Sequence, residues 1–203
     1  MDDVTIRPEQ PADHPVVRSV VTAAFGDEGA VVADLVDALV ASGHALVSLV
    51  AEVGGEVVGH VQLNRSWVDA RERLVEVLVL APLAVAPQRQ GRGLGSALVA
   101  EALVRTRGRG CPAIFLEGSP DYYGARGFER ADARGFSPPS NRIPAAAFQV
   151  VTTAAHEEWM TGALVYCGPF WELDCVGLRD PLLRELEERF GRAAGPGSGA
   201  RSR

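Results

Sequence analysis

The stretch Pro82–Val99, "PLAVAPQRQGRGLGSALV", concentrates the residue types most able to do chemistry. Three glycines, Gly91, Gly93 and Gly95, occupy alternate positions ahead of an apolar helical pattern. Loop glycines permit positive φ and let a ligand come close to main-chain amides. A helix that starts directly behind such a loop has first amides without internal partners, and its dipole favours an anion there. Arg89 and Arg92 add positive charge beside it. The loop is therefore built like a pyrophosphate cradle, with a plain strand-to-helix turn as the alternative. A dinucleotide fingerprint would want its last glycine where Ser96 stands, and it belongs in the first βαβ unit, not behind a meander. All the basic residues are arginine. Without lysine there is neither a Walker A loop nor a lysine Schiff base. No His, Cys, Asp or Glu cluster has metal-ligand spacing, so no metal is expected.

The elements that must carry this loop can be read from pattern. Val4–Arg7 reads as a strand. Helices follow from about His14 to Phe25, with Asp13 as its cap, and from Asp27 to Gly43. Ala45–Val53, the turn Gly54-Gly55 and Glu56–Val68 predict a hairpin. Leu74–Ala86 is a long strand, expected to be disturbed at Pro82, which cannot donate to a ladder. The helix behind the loop covers about Leu94–Arg107. Pro112–Gly118 is another strand, and a short helix opens at Ser119-Pro120. A loop spans Glu129–Pro144, and "AFQVVTT" and "GALVYCGPF" are two late strands. The expected organisation is one domain over residues 1–178, a terminal helix over 179–191 and an unstructured tail over 192–203.

"QGRGLG", Gln90–Gly95, resembles the acetyl-CoA signature of the GNAT superfamily of N-acetyltransferases. The element order and "DYYGARGF" fit the same superfamily. "LAPLAV", "LEGSPDYYGARGF", "AFQV" and "GALVYCGPF" together look like its YhbS-like group. The resemblance covers roughly Val4 to Phe170. It implies an α/β (α+β) fold: a mixed, largely antiparallel sheet of about seven strands, splayed between strands 4 and 5 and flanked by helices.

Within that fold acetyl-CoA would lie in the splay. Its pantetheine would pair with the main chain of Leu83, Ala84 and Val85, and its pyrophosphate would rest on Arg89, Gln90, Gly91, Arg92, Gly93, Gly95 and Ser96. Tyr123 matches the superfamily's tyrosine acid, which protonates the coenzyme A sulfur; Tyr122 is the packing neighbour. Glu76 or Glu117 could serve as base, with His60 a weaker candidate. Asp27 and Glu28 could attract a cationic amine, with ordinary capping charges as the alternative, and Trp67, Trp159 and Trp171 could line its pocket, with core packing as the safer reading.

The implied activity is acetyl transfer from acetyl-CoA to a primary amine, of a small molecule or of a protein, by direct attack in a ternary complex. The alternative is a non-catalytic acyl-CoA-binding or sensor module of the same fold. A net charge of −6 argues against nucleic acid as a partner. The acidic start, the absence of a long apolar run and three unpaired-looking cysteines suggest a reduced, cytoplasmic protein away from membranes. The resemblance leaves room for a homodimer through the late strands.

Overall fold

The computed structural model describes residues 4–177; the expected terminal helix and tail lie outside the described residues. The chain opens with β1 (Val4–Pro8), α1 (His14–Phe25) and α2 (Gly29–Ala41). The meander β2 (Ala45–Val53), β3 (Glu56–Ala70) and β4 (Leu74–Val85) follows, then α3 (Leu94–Thr106), β5 (Ala113–Glu117) and α4 (Pro120–Gly124). The last part holds β6 (Glu129–Arg130), β7 (Phe136–Ser137), β8 (Phe148–Thr152), β9 (Gly162–Val165) and α5 (Gly168–Glu172).

Local chemistry explains most of these boundaries. Pro15 sits in the first turn of α1, where no amide hydrogen is needed. Gly54 and Gly55 both have positive φ, 60° and 84°, as a tight two-residue hairpin turn requires. The expected side-chain caps are not formed. The Asp13 carboxylate is bound by Arg7, at 2.6 and 2.9 Å, and by the Gln10 amide, and does not close α1. α2 starts at Gly29, and neither Asp27 nor Glu28 caps it through its side chain. At Gly29 a Cβ would overlap the Thr22 main chain, so the two helices cross in close contact there.

The strands form one sheet in the order β1-β2-β3-β4-β5-β8-β6, with β9 against β3 and β7 parallel to β9. Nine strands occur among the described residues, against the expected number of about seven, since the loop over 129–144 contributes the two-residue strands β6 and β7. β3 is long enough to use two partners on one edge: Ala45–Val53 along its first part and β9 along Trp67–Ala70. "GALVYCGPF" is a strand only to Val165; Pro169 cannot donate to a ladder but fits the first turn of α5. Opposite Gln62 the β3–β4 register shifts, so that Ala81 and Pro82 together face one residue, a bulge at the expected proline.

The core lies on both faces of the sheet. Leu49, Val61, Leu63, Leu78 and Leu80 pack under Leu98 and Val99 of α3. On the other face Val32, Val36, Leu35 and Leu39 of α2 cover Val50, Val77 and Val79. Each such side chain contributes roughly 1.5–3 kcal/mol by leaving water. Between these apolar rows β3 carries His60, Gln62, Asn64 and Ser66 at alternate positions, all fully buried. Among the described residues no helix is long and apolar enough to cross a membrane.

Candidate active site

β4 and β5 pair in parallel at only two positions, Leu78 with Ile114 and Val79 with Phe115. Beyond them β5 follows β8, while β4 stays with β3. The edge of β4 that faces β5 therefore has, from Leu80 to Val85, no strand beside it among the described residues. The Ala86 amide donates to Val58 O at 2.8 Å. Hydrogen-bonding positions alternate along an antiparallel pair, so Ala84 faces His60 while the N–H and C=O of Leu83 and Val85 point into the split. Of the three residues expected to offer main chain there, two do so; the groups of Ala84 are directed to β3.

The glycine loop sits at the end of that edge. Gly91 and Gly93 have φ of 72° and 85°, a region other residues enter at a cost. Gly95 has a different reason: a Cβ there would stand 2.5 Å from the Tyr122 hydroxyl. The first helical bond of α3 runs from Ala97 N to Gly93 O, so the amides of Leu94, Gly95 and Ser96 have no acceptor within the helix. Gln90 ties the loop back by donating to Val85 O at 3.0 Å. Arg89 is half-buried and Arg92 exposed.

Arg126 was not singled out by sequence reasoning. Its guanidinium lies 3.4 Å over the Tyr122 ring and donates to the Ser96 hydroxyl and the Tyr122 carbonyl. It brings positive charge to the start of α3 from the turn that follows α4. The spacing of Tyr122 and Arg126, four apart, was the available signal.

A cleft with a cavity volume of about 140 Å³ opens where the strands part. Ala81, Pro82 and Leu83 of β4 form one wall, Glu117, Gly118 and Tyr123 another. Phe25, Val32 and Leu35 come from the helical pair; Tyr166, Phe170, Cys175 and Gly177 come from the late segment. The Tyr123 ring packs on Gly118 and meets the Phe128 ring edge-on at 5.9 Å. The Tyr166 hydroxyl donates to Glu117 Oε1 at 2.5 Å. Burial first, and then the Glu117 charge, push the Tyr166 phenol well above its ordinary pKa. Burial also raises the neighbouring Cys167 thiol to about 11.

The structure thus brings Tyr123 and Glu117 to one cleft and leaves Glu76 outside it. Glu76 is exposed on β4 and pairs with Arg65 at 3.0 Å. His60 is enclosed, 2.9 Å from Ser48 Oγ and 3.3 Å from Glu9, and does not line the cleft. The tryptophans do not line the cleft, and Trp67 and Trp159 pack against the core. Trp67 packs against His44, Trp159 lies under Arg73 and Trp171 is largely exposed. Aromatic walls come instead from Phe25, Tyr123, Tyr166 and Phe170. Asp27 and Glu28 do not line the cleft either; Phe25, just before them, does. No metal-ligating group of three or more side chains occurs among the described residues.

The model of the acetyltransferase (GNAT) family matches residues 18–133. The uncharacterized N-acetyltransferase YjhQ of Escherichia coli K12 is 35% identical over 131 residues, covering 63% of this chain and 71% of that protein. The uncharacterized N-acetyltransferase YhbS of the same strain is 35% identical over 127 residues, or 62% of this chain and 74% of that protein. The crystal structure of Escherichia coli YhbS, a GNAT family N-acetyltransferase, in complex with CoA superposes with a TM-score of 0.74 at 28% identity, over 84% of this chain and 93% of that one. A GNAT family acetyltransferase from Brucella melitensis in complex with acetyl-CoA gives a TM-score of 0.68 at 29% identity, over 84% of this chain and 99% of that one.

Proposed function

The chain belongs to the acetyltransferase (GNAT) family, and from that premise we propose that it moves the acetyl group of acetyl-CoA onto a primary amine by direct attack in a ternary complex. The observation that carries this reading is the edge of β4 at Leu83 and Val85, which no strand covers among the described residues, ending at the three amides that open α3. A pantetheine arm fits that edge as an added strand. A pyrophosphate fits the amides and loop from Arg89 to Ser96, with the helix dipole behind it.

The chemistry follows from what lines the cleft. The amine nitrogen attacks the thioester carbonyl carbon, and the carbon–sulfur bond breaks. Glu117 takes the proton the nitrogen loses. Tyr123 gives its phenolic proton to the departing sulfur. A main-chain N–H of Leu83 or Val85 donates to the oxyanion. Glu76 is set aside as base because it stands off the cleft. The apolar, aromatic walls favour a small-molecule amine over a protein amine.

The test pairs binding with turnover. Tyr123→Phe should keep acetyl-CoA affinity within about threefold and cut thiol release across an amine panel by about tenfold or more. Tight acetyl-CoA binding with no thiol release from any amine would instead assign a non-catalytic acyl-CoA-binding module.

A further inference from the structure

β3 and β4 pair in two registers. Before the bulge Asn64 stands opposite Val79 and Leu63 opposite Leu80; beyond it Val61 stands opposite Leu83 and His60 opposite Ala84. Ala81 and Pro82 share the place opposite Gln62. β3 keeps its alternation throughout, since His60, Gln62, Asn64 and Ser66 all turn to the same buried side. The extra residue therefore changes the phase of β4 alone. The Ala86 amide bonds to Val58 O, so beyond the bulge the even-numbered residues of β4 face β3. Before it the odd-numbered residues do, and Leu78 is left to pair with β5. In a ladder without the bulge Leu83 and Val85 would bond to β3, and Ala84 would face the split.

One side chain holds the bulged residue. Asn64 donates from Nδ2 to the main-chain oxygen of Ala81. Asn64 is fully buried, and Ala81, Pro82 and Leu83 line the cleft. A main-chain oxygen can only accept, so it fixes which end of the Asn64 amide turns towards it. Pro82 has no N–H to give to Gln62, so the ladder itself is weak at this point. Further along, β4 is tied twice more: Ala86 N donates to Val58 O at 2.8 Å, and Gln90 Nε2 to Val85 O at 3.0 Å. Leu83 lies between these ties and the bulge. Its orientation therefore depends on the Asn64 bond more than that of Val85 does.

We propose that Asn64 is a positioning residue: by holding Ala81 O it keeps the bulge that turns the Leu83 N–H into the split, where that N–H donates to the thioester carbonyl oxygen of acetyl-CoA. The proposal rests on the transferase reading above and narrows its oxyanion donor to Leu83. Asn64 does not line the cleft. Its effect reaches the reaction through the main chain of Ala81, Pro82 and Leu83.

Acetyl-CoA enriched with the NMR-active carbon isotope at the thioester carbonyl tests this without turnover. A hydrogen bond to that oxygen draws charge from the carbon, so the resonance of bound acetyl-CoA should lie downfield of the free one. Asn64→Leu is close in size and gives no donor. It should lose about half or more of the downfield displacement. Free coenzyme A, held also by the loop and the start of α3, should bind within about fivefold of the parent. In turnover kcat should fall about tenfold or more, with the KM for the amine within about threefold. Asn64→Ser, whose hydroxyl is one bond shorter, gives the same reading should the leucine variant not fold. Gln62→Leu is the control. It removes an equally buried amide that bonds to none of the described residues, and it should keep the parent's displacement. A general packing defect would affect both positions alike. Hydrogen exchange on the parent protein needs no variant: the Leu83 amide should become protected when acetyl-CoA binds, and the Ala84 amide should be protected throughout. The proposal is overturned if acetyl-CoA does not bind, if the bound resonance is not displaced, if the Asn64 variants keep the displacement, if Gln62→Leu loses as much, or if Leu83 is protected without ligand. The two readings fail separately. A displacement that needs Asn64, with no thiol release from any amine, keeps the positioning role and removes the transferase. Thiol release unchanged in the Asn64 variants keeps the transferase and removes the role.

Discussion

The ring of Tyr123 occupies the space that a side chain on Gly118 would fill. A Cβ at Gly118 would overlap Cε2 and Cδ2 of that ring, so the proposed acid is placed by the absence of a side chain where β5 gives way to α4.

Gly118→Ala should therefore move Tyr123 without touching the glycine loop. The ring has to swing aside, and sub-ångström misplacement of a catalytic group is costly. Thiol release should fall by about tenfold or more, while acetyl-CoA affinity stays within about threefold. Unchanged kcat in the alanine variant would show that Tyr123 plays no part in the reaction.

Gly93 offers a graded version of the same logic. It is the residue before α3, with φ of 85°, and open space surrounds it, so only backbone preference opposes a side chain. Gly93→Ala should cost about 1–2 kcal/mol in urea denaturation and Gly93→Asn less, since asparagine tolerates the left-handed region. Acetyl-CoA affinity should fall in the same order. An asparagine variant as impaired as alanine would mean that bulk, not φ, decides at this position.

Glu9 makes the stability of the fold pH-dependent. Burial pushes its carboxyl upward, but hydrogen bonds from His60 and Ser48 outweigh that and leave it below the ordinary value of 4.5. A lowered carboxyl stabilises the folded state above its unfolded pKa, and the contribution drains away as pH falls through the folded one. Urea midpoints of the parent protein should hold above 4.5 and drop below it. Glu9→Gln should be less stable at neutral pH and show a shallower acid drop. Parallel acid limbs in the two proteins would remove Glu9 from the account.

Cys167 should be chemically silent in the folded protein. Burial raises its thiol to about 11 and leaves it 2% exposed, and the thiolate is the reactive form. Iodoacetamide at pH 8 should leave Cys167 unlabelled by peptide mass spectrometry until denaturant is added. Rapid native labelling would show that the segment before α5 opens readily.

Much of the site was legible because its signals are local. The alternating glycines, the apolar run to Pro82 and the helical spacing behind Leu94 each act within a few residues. They placed β4, the loop and α3 within a residue or two. The Gly54-Gly55 turn is of the same kind. What escaped was set by distant contacts. That β9 lies on β3 depends on a register between Gly162 and Ala70, for which alternation within either strand carries no signal. The bond from Tyr166 to Glu117 is a consequence of that register, so neither residue alone announces it. Glu76 and Glu117 were equal candidates by type. Only the third dimension separates a carboxylate paired with Arg65 on the surface from one in the cleft. The tryptophans show a related limit: aromatic bulk says that a residue packs, not where.

The two-pair seam between β4 and β5 makes the sheet one strand short. On the proposed reading a cofactor bound along Leu83–Val85 would complete it, and a ligand that binds only the folded chain adds about 2.7 kcal/mol to its stability at a hundredfold excess over Kd. Under that reading the resistance of the folded chain to heat and proteases should rise with acetyl-CoA concentration.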